Sequence, residues 1–211
     1  MNNPERERSG GYFDAAYRGA PPWDIGEPQP ALLALLDEFP PTDPVLDVGC
    51  GTGALTLELA GRGLHVLGVD LIAAAIDRAR AKASANPKLA QRVEFRVADA
   101  LQPSRLPGPF GAVVDSGFYH VFGTPERERF VNDLALALAE GARYYLLGFA
   151  FDSPYPYAPR QVSEHGLRAQ FTPERGWHFL VLREARFKLR GPRSEVPAIA
   201  ACIERTQATM P

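Results

Sequence analysis

Lysine is almost missing from this chain: Lys82, Lys88 and Lys188 are the only three, and arginine supplies the rest of the 23 basic side chains. A cationic surplus is missing too, because 25 acidic residues leave a formal net charge of -2. Gripping a phosphate backbone takes a clear positive excess, so the balance argues against nucleic acid as a partner. Cysteine is scarce, with Cys50 and Cys202 alone, and neither their number nor their spacing suggests a disulfide framework or a zinc site. No apolar run approaches the roughly 20 residues that cross a bilayer. The opening MNNPERERSGG is polar and lacks the apolar core of an export signal. A reducing cytoplasm, away from membranes, is the expected setting. No carboxylate cluster suggests a magnesium site, and no metal is expected.

What is present is ordinary globular material: 211 residues, 45% hydrophobic and 23% charged. That length fits one domain with a substantial core. Residues 1–11 read as disordered and 12–211 as a single domain. Short β-branched runs alternate with helical patterns. Strands are expected over 44–48, 65–70, 93–97, 110–114 and 143–150, with helices over 54–60, 73–85 and 125–139. Such βαβ alternation predicts a parallel sheet covered by helices on both faces. Thr172 and Pro173 then open a short helix. Two apolar runs follow, over 177–189 and 197–203, with no helix between them, and they read as a hairpin at the sheet edge. The expected architecture is therefore α/β and Rossmann-like: a seven-stranded, mostly parallel sheet with an antiparallel C-terminal hairpin.

The strongest local signal is Val45-Leu46-Asp47-Val48-Gly49-Cys50-Gly51-Thr52-Gly53, set where a strand ends and a helix begins. Gly49, Gly51 and Gly53 allow a tight turn and a close approach of ligand to backbone. Glycines in this rhythm also serve dinucleotide enzymes. Their acidic company sharpens the reading. Asp47 lies at the strand end, where a carboxylate can organise the loop amides. Asp70 closes the next strand, about 20 residues on, where it can accept both ribose hydroxyls of a nucleoside. Asp99, followed by Ala100, closes the third strand, within reach of an adenine amine.

VLDVGCGTG, the Gly68-Val69-Asp70 step and the Val97-Ala98-Asp99 step resemble the first three motifs of class I S-adenosylmethionine-dependent methyltransferases. Trp23-Asp24-Ile25-Gly26-Glu27-Pro28-Gln29-Pro30, with Phe13, Asp14 and Tyr17 upstream, resembles the N-terminal signature of the thiopurine, thiol and tellurite-resistance methyltransferase group. The resemblance runs from about Tyr12 to Arg205. It implies S-adenosylmethionine as cofactor, S-adenosylhomocysteine as product, and a lid over residues 12–30. It further implies that Phe13, Tyr17 and Trp23 line the methionine end, that Asp70 holds the ribose, that Leu71 flanks the adenine and that Ser116 sits near the cofactor. An aromatic lid also has a physical rationale, since aromatic faces attract a sulfonium by about 0.5–2 kcal/mol. One departure is Ile72, where relatives often carry a helix-capping Ser.

Asp115-Ser116-Gly117-Phe118-Tyr119-His120 follows the fourth strand, where this fold usually handles the acceptor. It lacks the Asn/Asp-Pro-Pro-aromatic motif of enzymes that methylate exocyclic base amines or glutamine. His120 has two readings: a general base titrating near neutrality, or a residue that only orders the loop by hydrogen bonding. Phe149-Ala150-Phe151-Asp152-Ser153-Pro154-Tyr155-Pro156-Tyr157 likewise reads as an apolar wall for a flat aromatic acceptor or as a proline-stiffened surface loop. The expected activity is methyl transfer to O, S or N of a small, aromatic or heteroaromatic molecule. Alternatives are a thiol, halide or metalloid methyltransferase, a non-catalytic cofactor-binding module, or a nicotinamide enzyme sharing the first βαβ unit. Monomer and homodimer both stay open.

Overall fold

Strand formation follows the short β-branched runs, and the strands stack into one sheet. In the computed structural model, which describes residues 4–152, 159–191 and 194–208 with side chains from 11 onward, five strands are parallel. These are β1 (Val45–Val48), β2 (Val66–Asp70), β3 (Val93–Val97), β4 (Phe110–Ser116) and β5 (Leu138–Phe149). Two more, β6 (Trp177–Lys188) and β7 (Glu195–Arg205), form an antiparallel hairpin. The order is β3-β2-β1-β4-β5-β7-β6, with β7 slotted antiparallel against β5 so that Tyr144 pairs with Ile203. That ending is the one expected for a methyltransferase sheet and not for a plain dinucleotide-binding one.

Helices α1 (Pro4–Tyr17), α2 (Pro30–Glu38), α3 (Ala54–Gly61), α4 (Ala73–Ser84), α5 (Pro87–Ala90), α6 (Thr124–Ala137) and α7 (Glu164–Gln170) cover the sheet. Successive strand residues face opposite ways. Tyr144 and Leu146 of β5 join Leu46 and Val48 against Phe130, Val131 and Leu134 of α6. Tyr145 and Leu147 join Val45, Ala112 and Val114 against Leu32, Leu35 and Leu36 of α2 and Leu55 and Leu59 of α3. Each such fully buried side chain stabilises the fold by about 1.5–3 kcal/mol.

Several boundaries differ from the sequence reading. Helix α1 begins at Pro4, inside the stretch read as disordered. Proline suits a first helical turn, and the Glu and Arg that follow are good helix formers. Helices α2 and α7 were not foreseen. Strand β5 starts at Leu138, with Gly141 at φ +77° as an irregularity in its N-terminal part. The aromatic and apolar run that signals a strand begins only later, at Tyr144. Of the aromatic stretch after β5, Tyr155 and Tyr157 lie outside the described residues. Among the described residues no helix is long and apolar enough to cross a membrane.

Candidate active site

The carboxyl ends of β1, β2, β3 and β4 meet beneath α1 and the turn that follows it. Their side chains line two adjoining clefts of about 780 and 500 Å³ that share Tyr17, Trp23, Gly49 and Ser116. The larger adds Phe13, Asp70, Leu71, Asp99, Ala100 and Phe118. The smaller adds Asp24, Gln29, Asp47, Gly51 and Thr52. Of the expected cofactor residues, Gly53 lines neither. It sits at φ +78°, and a Cβ there would come within 2.7 Å of the Phe95 ring. Its lack of a side chain therefore serves the packing of α3 and α4 on β3.

The other two loop glycines make room for the protein's own side chains. A Cβ on Gly51 (φ +53°) would lie 2.7 Å from the Tyr17 hydroxyl, and one on Gly49 (φ +66°) 2.9 Å from the Phe118 ring. Both positions need left-handed backbone, where glycine alone is unstrained. The glycine loop is thus a floor against which the lid and the post-β4 turn press.

Asp70 is buried and accepts hydrogen bonds from the Gly51 and Ile72 amides, each at 2.9 Å. One carboxylate thereby ties the glycine loop to the start of α4. Ile72, the residue before α4, offers no side-chain cap, and Asp70 instead holds its backbone amide. Burial raises its pKa, and the backbone amides partly offset that rise. Asp99 accepts from the Leu101 amide at 3.1 Å, which points the β3–Ala100 corner into the larger cleft. Leu71 is 51% exposed, an apolar surface lying open on the cleft wall.

Asp47 differs from its expected part. Its partner is the Thr56 hydroxyl, at 2.6 Å, so it anchors α3 and not the loop amides. Burial, with Asp115 and Asp70 nearby, pushes its pKa up to about 7. Asp115 is a residue that sequence reasoning passed over. Fully buried, it accepts from the Phe118 and Tyr119 amides at 2.7 and 2.9 Å and from the Tyr144 hydroxyl at 2.7 Å. It fixes the turn that carries Ser116 and Phe118 to the cleft.

His120 is buried, and it lines neither cleft. Its Nδ1 accepts from the Phe149 amide at 3.1 Å, and its ring packs on Phe149 and Phe187. Burial and the Arg127 guanidinium hold its pKa down to about 3, so the imidazole is neutral at physiological pH. Behind Gly117, which lines the larger cleft, a Cβ would meet the His120 ring at 3.1 Å and the Phe187 ring at 3.3 Å. Phe149 in turn stacks on Phe151 at 5.2 Å. An aromatic cluster therefore adjoins the cleft where an acceptor would approach.

Above the clefts the lid aromatics pack edge-on, Phe13 to Trp23 at 5.5 Å and Tyr17 to Trp23 at 6.1 Å. The Trp23 indole donates to the Tyr17 hydroxyl at 3.2 Å. Gln29 clamps the base of the lid to the sheet, its amide donating to the Lys188 carbonyl at 3.0 Å and accepting from the Lys188 amide at 2.7 Å. Among the described residues no three His, Cys, Asp or Glu side chains stand together to hold a metal.

A nucleoside with a charged tail fits this arrangement: a carboxylate at the ribose position, an exposed apolar face for the base, and aromatic rings over the charged end. Comparison with known proteins agrees. A methyltransferase-domain model matches residues 45–141. The 2-heptyl-1-hydroxyquinolin-4(1H)-one methyltransferase of Mycobacteroides abscessus is 36% identical over 166 residues, covering 74% of this chain and 72% of its own. A probable thiol methyltransferase of Arabidopsis thaliana is 29% identical over 158 residues, 74% of this chain and 68% of its own. A solved structure concerned with conversion of a disulfide bond into a thioacetal group during echinomycin biosynthesis superposes with a TM-score of 0.82. It shares 32% identity and covers 95% of this chain and 93% of its own. Strand order, acid placement and relatives converge, and the chain belongs to the class I S-adenosylmethionine-dependent methyltransferases.

Proposed function

We propose that this methyltransferase modifies a hydroxyl, thiol or nitrogen of a flat aromatic or heteroaromatic molecule. The observation that carries the acceptor class is the Phe149–Phe151–Phe187 cluster behind Gly117. The hydroxyquinolone named for the bacterial relative supports the same class. A thiol acceptor is the second reading, supported by the plant relative. Residues 12–30 serve as the lid of one domain spanning 12–211, in a cytoplasmic protein, monomeric or homodimeric, with no nucleic-acid partner. The free Cys50 and Cys202 thiols support that compartment.

Asp70 holds the ribose, Leu71 and Phe118 flank the base, Asp99 and Ala100 frame its amine, and Tyr17 and Trp23 shield the charged end. S-adenosylmethionine, when bound, supplies an electrophilic methyl group on a sulfonium. The chain's own residues align the acceptor in line with that methyl and exclude water. His120 acts here by ordering the post-β4 turn against Phe149, the second of its two readings. The acceptor then attacks without a base from the chain, as the thiolate, as the anion of an acidic hydroxyl, or through a nitrogen lone pair that loses its proton to solvent after transfer.

Calorimetric titration with S-adenosylhomocysteine tests the cofactor assignment. Wild type is expected to bind with micromolar affinity, about -8 kcal/mol, and Asp70→Ala to lose most of it. Absence of binding to wild type would overturn the reading. Turnover of a 1-hydroxyquinolin-4-one but not of a small aliphatic thiol supports the first acceptor class, and the reverse supports the second.

A further inference from the structure

A polar contact joins the lid to the glycine loop. Thr52 directly follows Gly51 and is 5% exposed. Its Oγ1 lies 3.1 Å from both carboxylate oxygens of Asp24, in the lid, and 2.7 Å from the Lys82 ammonium, in α4. An ammonium only donates and a carboxylate only accepts. The hydroxyl therefore takes a proton contact from Lys82 and gives its own to Asp24. Lid, loop and α4 meet at one oxygen.

We infer that Thr52 is the pin of a latch, with Asp24 and Lys82, that holds the lid shut and sets how long the cofactor stays bound. The inference rests on the cofactor and lid assignments above. Asp24 and Thr52 both line the smaller cleft, so the latch closes over the site and not beside it. Both of its bonds involve a charged partner, and such bonds are roughly twice as strong as neutral ones. The residues just past β6 complete the brace on the far side. Arg190 donates from its amide to the Pro22 carbonyl at 2.7 Å and from its guanidinium to the Asp24 carbonyl at 3.3 Å. With the segment Pro21–Gly26 held by Arg190, just past β6, on one side and from α4 on the other, ligand exit requires the Thr52 contacts to break. Thr52, Asp24 and Lys82 are positioning residues: they act on the lid, and the reacting atoms lie elsewhere.

Stopped-flow release of S-adenosylhomocysteine, followed by Trp23 fluorescence, tests this, because Trp177, the other tryptophan, is buried in the core. Thr52→Val keeps the shape and removes both hydrogen bonds; release about 10-fold faster is expected, equal to about 1.4 kcal/mol. Thr52→Ser restores the hydroxyl and should release within about 2-fold of wild type, while Lys82→Met should fall between. Circular dichroism at each step shows whether the variants are folded. Wild-type release rates in folded Thr52→Val, or equal acceleration in Thr52→Ser, overturn the latch. Should Thr52→Val not fold, Lys82→Met, a change at the solvent-facing side of α4, decides alone: a wild-type rate refutes the proposal. Failure of wild type to bind S-adenosylhomocysteine at all instead refutes the cofactor assignment on which the latch depends.

Discussion

Three buried titratable side chains give this fold an uneven response to acid. His120 takes up a proton below about pH 6.5 when unfolded but only below about 3 when folded. Between those values the unfolded chain binds more protons, so His120 favours folding above pH 6.5 and penalises it progressively as the pH falls. Asp47 and Asp115 work in the opposite direction. Burial pushes their carboxyls up to about 7 and about 6, so they keep protons that an unfolded aspartate has lost above about 3.9, and stability declines as the pH rises toward neutrality. Comparing wild type with His120→Gln by urea unfolding isolates the histidine. Wild type's advantage at pH 7 should shrink by about 1.4 kcal/mol for each unit below 6.5. An advantage constant from pH 7 to 4.5 would mean that the imidazole is not buried neutral. At this scale the sequence was only partly legible. Asp70 and Asp99 announce themselves by following strands. Asp115 does not, because its meaning comes from Tyr144, 29 residues away, and the burial of His120 against Phe149 depends on a strand 29 residues further on.

Among the elements, the clamp between the start of α2 and the end of β6 carries the clearest expectation. Gln29 is buried and satisfies both backbone groups of Lys188, 159 residues distant. Gln29→Ala leaves those two groups without their partner, and a loss of about 1–3 kcal/mol is expected. Urea denaturation measures it, and an unchanged midpoint would show that water replaces the clamp at no cost. The helix that Gln29 introduces also shows why some elements were hidden. Ala31-Leu32-Leu33-Ala34-Leu35-Leu36 is apolar nearly all round, so its periodicity does not separate helix from strand, and the Gln29 side chain makes no cap hydrogen bond. Strands β1 to β4, by contrast, lie in short β-branched runs bounded by turn residues, and the reading located them to within a residue or two.

For the molecule as a whole, the decisive feature is β7 lying between β5 and β6. It carries the sheet past its parallel half and brings Phe187 and Lys188, the last residues of β6, under the lid. The hairpin was legible because two apolar runs followed each other without a helical pattern between them. Its consequence for the site was not, since the sequence does not state which end of β6 meets residues 22–29. Polar pinning of the lid was equally hidden: Asp24, Thr52 and Lys82 are separated by 28 and 30 residues.

The scarcity of lysine acquires a use from this geometry. Lys82 contacts Thr52 and Lys188 pairs with Glu27 at 2.9 Å, so two of the three lysines touch the lid's anchorage, while Lys88 sits apart on the surface in α5. Guanidinium groups are inert to amine acylation, which makes the chain a sparsely labelled footprinting probe of its own lid. Under limiting acylating reagent, added S-adenosylhomocysteine should slow modification of Lys82 and Lys188 severalfold and leave Lys88 unchanged, as read by peptide mass spectrometry. Uniform slowing at all three would mean that the ligand tightens the whole domain. Selective protection would make two side chains a built-in gauge of the closed state.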